Sequence, residues 1–381
     1  MMLHRRHLLT AGATALMVSP LGARMAFAAA PTERRFVFII QRGAADGLGT
    51  VAPVGDPAYA GARGDLAADF ATAPKLDGMF ALHPAMPNTL GLYQAKQALF
   101  VHAVASPYRD RSHFDGQNVL ETGGLSAYQL KDGWMNRLLR LLPAQDKAIA
   151  LAATVPMALR GALEVASYAP SSLPDASDDL LARVTAMYDG DKQLHPLWQE
   201  AMATRTLAGD LGAKKAADTG SLAAKLLSAP GGARVAMIET GGWDTHSGQR
   251  GRLGNQLKGL DAMVAALKVG LGPHWNDTLV VVATEFGRTV RANGTGGTDH
   301  GTGSVAMLLG GAVQGGRVQA DWPGLSDAAL YEDRDLKPTT ALDVLIASAV
   351  SSHFALAPSR TAKALFPAMT TAASMDGLIR A

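Results

Sequence analysis

The chain of 381 residues has no cysteine. Thiolate metal sites, cysteine nucleophiles and disulfides are therefore excluded, and any metal has to be held by histidine and carboxylate. Aromatic residues are scarce at 6%, and charged residues make up only 18%. The formal net charge is +2, but Arg5, Arg6 and Arg24 fall in a removable leader; without them 32 basic residues face 33 acidic ones, a balance of −1. No basic patch argues for nucleic acid as a partner. Long hydrophobic runs are also missing. The apolar stretch from Leu8 to Leu21 is too short to cross a bilayer comfortably, so no stable membrane span is expected. What the chain does have is 48% hydrophobic residues rich in alanine and glycine, enough for one large α/β core with tight helix-on-sheet packing.

Residues 1–29 read as a targeting segment rather than structure. Arg5-Arg6 precedes a leucine-bearing apolar stretch, and Ala26-Phe27-Ala28-Ala29-Ala30 offers small residues for cleavage. The pattern resembles a bacterial twin-arginine signal, which implies export of an already folded protein by the twin-arginine translocase. The expected location is periplasmic or extracellular.

Residues 30–381 read as one α/β domain. Apolar runs without polar alternation at Phe36–Ile40, Ala98–Val104, Ala148–Ala153, Val235–Glu239, Leu279–Ala283 and Val305–Leu309 predict buried strands. Helices are predicted over Asn88–Gln97, from Ser112 towards Thr122, over Trp134–Leu142, Gly251–Leu271 and Ala341–His353. Alternating strands and helices predict a mainly parallel central sheet with helices on both faces. Between 156 and 229 the strands give way to helical patterns, which predicts a helical insertion.

In such a sheet, ligands collect beyond the carboxyl ends of the strands. Polar residues follow several of these runs: Asp46; Ser112, His113 and Asp115; Asp244 and His246; Glu285 and Arg288. Asp299 and His300 precede the last run, so the glycine-rich loop from Asn293 to Gly303 is expected to fold back over the sheet edge to bring them in. Carboxylates and imidazoles converging from separate loops suit a divalent cation such as Zn, Mn, Mg or Ca. The expected metal set is Asp46, Asp244, His246, Glu285, Asp299 and His300. Ser112, His113 and Arg288 are the expected catalytic residues, with Arg288 as an anion clamp. Ser112 also has the spacing of a helix N-cap, and Glu285 with Arg288 that of an ion pair. His83, His102, His195, His274 and His353 read as structural, with His353 near a helix end where a charge suits the dipole.

The blocks QRGAADGL, SHFDGQNVLETGG, GGWDTHSGQ, TEFGRT and DHGTGS resemble, in content and order, those of the bacterial "domain of unknown function 1501" family. That family is grouped with the alkaline phosphatase and sulfatase superfamily, and the resemblance covers nearly the whole mature chain. It implies an alkaline phosphatase-like fold and metal-dependent hydrolysis of phosphate or sulfate esters. Asp46 then resembles the acid after the first strand, Ser112 the nucleophile, Asp244 with His246 the middle pair, and His300 the late histidine. Two departures stand out. The middle pair is spaced Asp244-x-His246 rather than Asp-x-x-x-His, and Phe286 stands where that superfamily usually has a histidine. Phenylalanine cannot ligate a metal, which points to a one-metal or altered site. The expected substrate is a small anionic ester or a polysaccharide-linked one. The alternative is a non-catalytic periplasmic binding or assembly protein that retains the fold.

Overall fold

The computed structural model describes residues 33–144, 146–169, 178–208, 215–369 and 374–380. The expected leader, residues 1–29, lies outside them. The strands are β1 (Arg35–Gln41), β2 (Val51–Ala52), β3 (Ala81–Leu82), β4 (Ala98–Ala105), β5 (Lys147–Leu151), β6 (Ala166–Ser167), β7 (Ala233–Thr240), β8 (Thr278–Ala283), β9 (Ser304–Leu309), β10 (Arg317–Gln319) and β11 (Thr340–Ala341). The helices are α1 (Gly47–Thr50), α2 (Tyr59–Arg63), α3 (Pro87–Gln94), α4 (His113–Thr122), α5 (Trp134–Leu139), α6 (Asp178–Tyr188), α7 (Leu194–Ala208), α8 (Ala216–Ser228), α9 (Gln249–Leu271), α10 (Leu342–His353) and α11 (Pro358–Leu365).

Every residue of β1 is buried. Successive side chains alternate between two apolar layers: Val37 and Ile39 pack into one, Phe36, Phe38 and Ile40 into the other. Helices therefore have to cover both faces. The first layer is closed by α3, α8 and α9, the second by α4, α5, α10 and α11. The apolar stripe read from Leu253 to Leu267 is the buried face of α9. β2 and β3 form a separate two-stranded sheet.

Among the described residues the main sheet has nine strands in the order β10-β4-β9-β8-β1-β7-β5-β6, with β11 also paired to β4. It is a mixed but mostly parallel α/β sheet. β9 alone is antiparallel to its neighbours β4 and β8. This corrects one expectation: Asp299 and His300 need no loop folding back over an edge. A strand running the other way begins where its neighbours end, so the residues just before Ser304 already stand at the carboxyl rim.

The segment expected as a helical insertion divides in two. α6 and α7 expose Leu180, Met187, Leu194 and Leu197. α8 buries Leu222, Ala223, Ala224, Leu226 and Leu227 and belongs by packing to the core. His353 also differs from expectation. Although it ends α10, it is 1% exposed, its Nε2 donates to the Arg35 carbonyl at 2.9 Å, and burial pushes its pKa down to about 3. A neutral ring cannot serve the helix dipole. Among the described residues, no helix is long and apolar enough to cross a membrane.

Candidate metal centre

Four rim segments deliver the site. The turn after β4 leads into α4, whose first residue is His113. Asp244 and His246 follow β7, Glu285 and Arg288 follow β8, and Asp299 and His300 precede β9.

Asp244 is the hub. Its Oδ1 accepts a hydrogen bond from Arg288 Nη1 at 2.7 Å and lies 3.0 Å from His246 Nε2 and 3.2 Å from His300 Nε2. Its Oδ2 is 3.5 Å from His113 Nε2. Burial alone would raise the Asp244 pKa, but the Arg288 hydrogen bond and charge, with His246 and His113, lower it to about 2.

Each imidazole is fixed from behind. His113 Nδ1 donates to Glu285 Oε1 at 2.9 Å, His246 Nδ1 to Asp299 Oδ1 at 3.1 Å, and His300 Nδ1 to the Arg111 carbonyl at 3.0 Å. A carbonyl only accepts, so His300 Nδ1 carries the proton and its Nε2 presents a lone pair. All three rings thus aim Nε2 at Asp244. This is the arrangement by which outer partners orient metal-ligating histidines. The Glu285 hydrogen bond is the largest influence on His113 and raises its pKa; burial is the largest on His300 and lowers it.

His113, Asp244 and His300 offer ligand atoms within 4.8 Å of one another. Two observations test whether these residues fit a cation. His113 Nε2 is buried and has no hydrogen-bond partner among the described residues. His246 Nε2 and His300 Nε2 stand 3.0 Å apart, a spacing that two lone pairs tolerate only with a proton or cation to share. The donor set fits.

Residues 33–356 match a family described as "Protein of unknown function (DUF1501)". The chain belongs to that family. No curated protein matches it. In structure, this DUF1501 chain is similar to the C-terminal periplasmic domain of EcEptC from Escherichia coli in complex with Zn (10% identity, 73% of each chain covered, TM-score 0.40). It is also similar to a 2-O GAG sulfatase (10% identity, 86% of this chain and 71% of that one, TM-score 0.42). A third similar structure is the phosphonate monoester hydrolase of Agrobacterium radiobacter (11% identity, 75% and 70% covered, TM-score 0.32).

The DUF1501 site differs in detail from the one expected. Asp244, His246 and His300 come together as read, and His113 joins them with a ligand geometry. Glu285 has no exposed surface and holds His113, so it stands behind the centre instead of in it. Asp299 holds His246 in the same way. Asp46, 1% exposed, caps α1 through Leu48 N at 3.1 Å and pairs with Arg63, so its carboxylate is already engaged elsewhere. Arg288, also 1% exposed, spends its guanidinium on Asp244 and on the carbonyl and hydroxyl of Thr298. It faces no solvent from which an anion could reach it, and its role is to hold Asp244. Ser112 occupies the N-cap position of α4, but its hydroxyl makes no capping bond. Phe286 is buried with its ring stacked on His113 at 5.2 Å, which makes it an apolar wall of the site.

Sequence reasoning missed Gln117, Gly43 and Arg111. Gln117 Nε2 donates to Glu285 Oε1 at 3.0 Å, and its spacing of four from His113 places both on one helix face, a signal that was available. Gly43 N donates to the same oxygen at 2.8 Å. Gly43 has φ of +118°, and a Cβ there would lie 2.6 Å from Asp244 N, so only glycine fits. Arg111 sits at φ +62°, a left-handed conformation that turns its carbonyl to His300. Nothing in the residue type announced that.

Proposed function

We propose that this DUF1501 protein is an exported, metal-dependent hydrolase of phosphate or sulfate esters. The observation that carries the reading is the convergence of His113 Nε2, His300 Nε2 and Asp244 on one small volume, with His246 Nε2 at its edge. Imidazole nitrogens with one carboxylate suit zinc or manganese; calcium and magnesium favour shells of oxygen. A bound ion would supply Lewis-acid polarisation of the ester and neutralise negative charge on the departing oxygen. The chain's own residues do the rest. Glu285, Asp299 and the Arg111 carbonyl fix the three rings, and Arg288 fixes Asp244. Ser112, at the start of α4 and with no capping bond, is the proposed nucleophile towards phosphorus or sulfur. A helix start also favours the anionic group being attacked. Phe286 against His113 supports a single ion, because it closes one side with hydrocarbon. The ester class draws on the block motifs, and export on Arg5-Arg6.

The test is elemental analysis of natively exported protein, together with turnover of aryl phosphates, phosphodiesters and aryl sulfates. About one bound zinc or manganese per chain and hydrolysis abolished by His300→Ala are expected. A folded protein that holds no metal and turns over nothing would instead support the second reading, a non-catalytic binding or assembly protein. Arg288 favours that alternative, since the cation expected to grip a substrate anion is buried against Asp244 and Thr298.

A further inference from the structure

We infer that a buried chain of hydrogen bonds running from Asp46 through Gln249, Thr298 and Arg288 positions Asp244, and that Gln249 and Thr298 are positioning residues of the candidate metal centre. The inference rests on the metal-site reading above and extends it to residues that touch none of the three converging ligands.

The links are continuous. Gln249 Nε2 donates to Asp46 Oδ2, the oxygen that Arg63 also grips. Gln249 Oε1 accepts from Thr298 Oγ1 at 2.6 Å and from Thr245 Oγ1 at 2.9 Å. Thr298 Oγ1 in turn accepts from Arg288 Nε at 3.2 Å, and the Thr298 carbonyl accepts from Arg288 Nη2. Arg288 Nη1 then donates to Asp244 Oδ1 at 2.7 Å. Asp46, Gln249, Thr298 and Arg288 are each at most 1% exposed.

The donor directions leave one arrangement. A carboxylate accepts only, so the amide nitrogen of Gln249 faces Asp46 and its oxygen faces the two threonines. The single hydroxyl proton of Thr298 is then used on Gln249, which leaves an oxygen lone pair for Arg288 Nε. Turning any link around sets two donors or two acceptors against each other in a buried space. The guanidinium is thereby held at two points by Thr298, and its remaining arm is aimed at Asp244. The Asp244 side chain is 43% exposed, and Arg288 gives it a charge-assisted hydrogen bond from the buried side. Asp46, buried and paired with Arg63, is the fixed end of this relay.

The measurement is titration of the mature protein with zinc chloride and manganese chloride by calorimetry. Thr298→Val keeps the shape and removes the hydroxyl; Thr298→Ser keeps the hydroxyl; Gln249→Met removes the amide. Thr298→Ser should bind like the wild type, whereas Thr298→Val and Gln249→Met should bind at least tenfold more weakly. In an Arg288→Lys background, Thr298→Val should add little, because the link is already broken. Wild-type affinity in Thr298→Val, equal weakening in Thr298→Ser, or full additivity with Arg288→Lys would overturn the relay. A second readout needs no metal: the Arg288 Nε–H resonance should exchange slowly in the wild type and Thr298→Ser, and quickly in Thr298→Val. If the wild type takes up neither ion, the proposed function falls, and this resonance alone decides the relay: fast exchange in the wild type rejects it. If Thr298→Val does not fold, the same comparisons are made with Gln249→Met.

Discussion

Glu285 has no exposed surface, yet one of its oxygens accepts from Gly43 N, His113 Nδ1 and Gln117 Nε2. Burial on its own would favour the protonated acid, but these donors outweigh it and lower the pKa. The carboxylate is therefore available to orient His113 and strengthen its Nε2 as a ligand. The sequence led to Glu285 as a metal ligand, whereas in the fold its carboxylate meets an imidazole, a distinction that a residue type does not carry. Glu285→Gln keeps the shape and loses the charge. It should weaken zinc or manganese binding roughly 10- to 100-fold in a calorimetric titration, with a smaller change in thermal stability. Unchanged affinity would mean that His113 is not a ligand.

At the scale of the element, β9 and the glycine-rich loop before it decide the site. Some of that loop's glycines allow close backbone approach: a Cβ on Gly301 would lie 2.4 Å from the Arg288 carbonyl carbon and one on Gly303 2.6 Å from the Leu336 carbonyl oxygen, whereas Gly294 and Gly296 face open space. Both β4 and α10 carry a buried neutral histidine. Burial lowers the pKa of His102 to about 4 and that of His353 to about 3, against 6.5 for an exposed imidazole. Below pH 6.5 the unfolded chain takes up protons that the folded chain refuses, so stability is full above that pH and falls as the solution is acidified towards pH 4 and 3. The slope approaches roughly 1.4 kcal/mol per pH unit for each histidine. Urea unfolding at pH 7.5 and pH 5 should show this loss, and His353→Gln should flatten it by about one proton. A pH-independent midpoint between those values would contradict the buried neutral assignment.

For the whole molecule, the mixed sheet collects residues spread over more than two hundred positions onto one rim. The helices on its two faces make the core and leave that rim to loops. The proposal of export belongs to this scale as well, since a folded, ion-loaded protein is what a twin-arginine route carries. Arg5→Lys together with Arg6→Lys should retain the protein in the cytoplasm, as followed by cell fractionation; unchanged export would remove the twin-arginine reading without touching the metal centre.

Amino-acid order by itself determined the strand runs, the α9 stripe and the histidine and aspartate segments, because burial on both sides of a sheet demands unbroken apolar runs and leaves charge to their ends. It could not decide the direction of β9, since parallel and antiparallel strands bury the same side chains. Nor could it separate Asp46 and Glu285 from Asp244. Each is an acid just past a buried strand, and whether it converges with the imidazoles, holds one from behind or pairs with a buried arginine depends on which side chain arrives opposite. That is set by the packing of segments distant in sequence, and only the tertiary structure contains it.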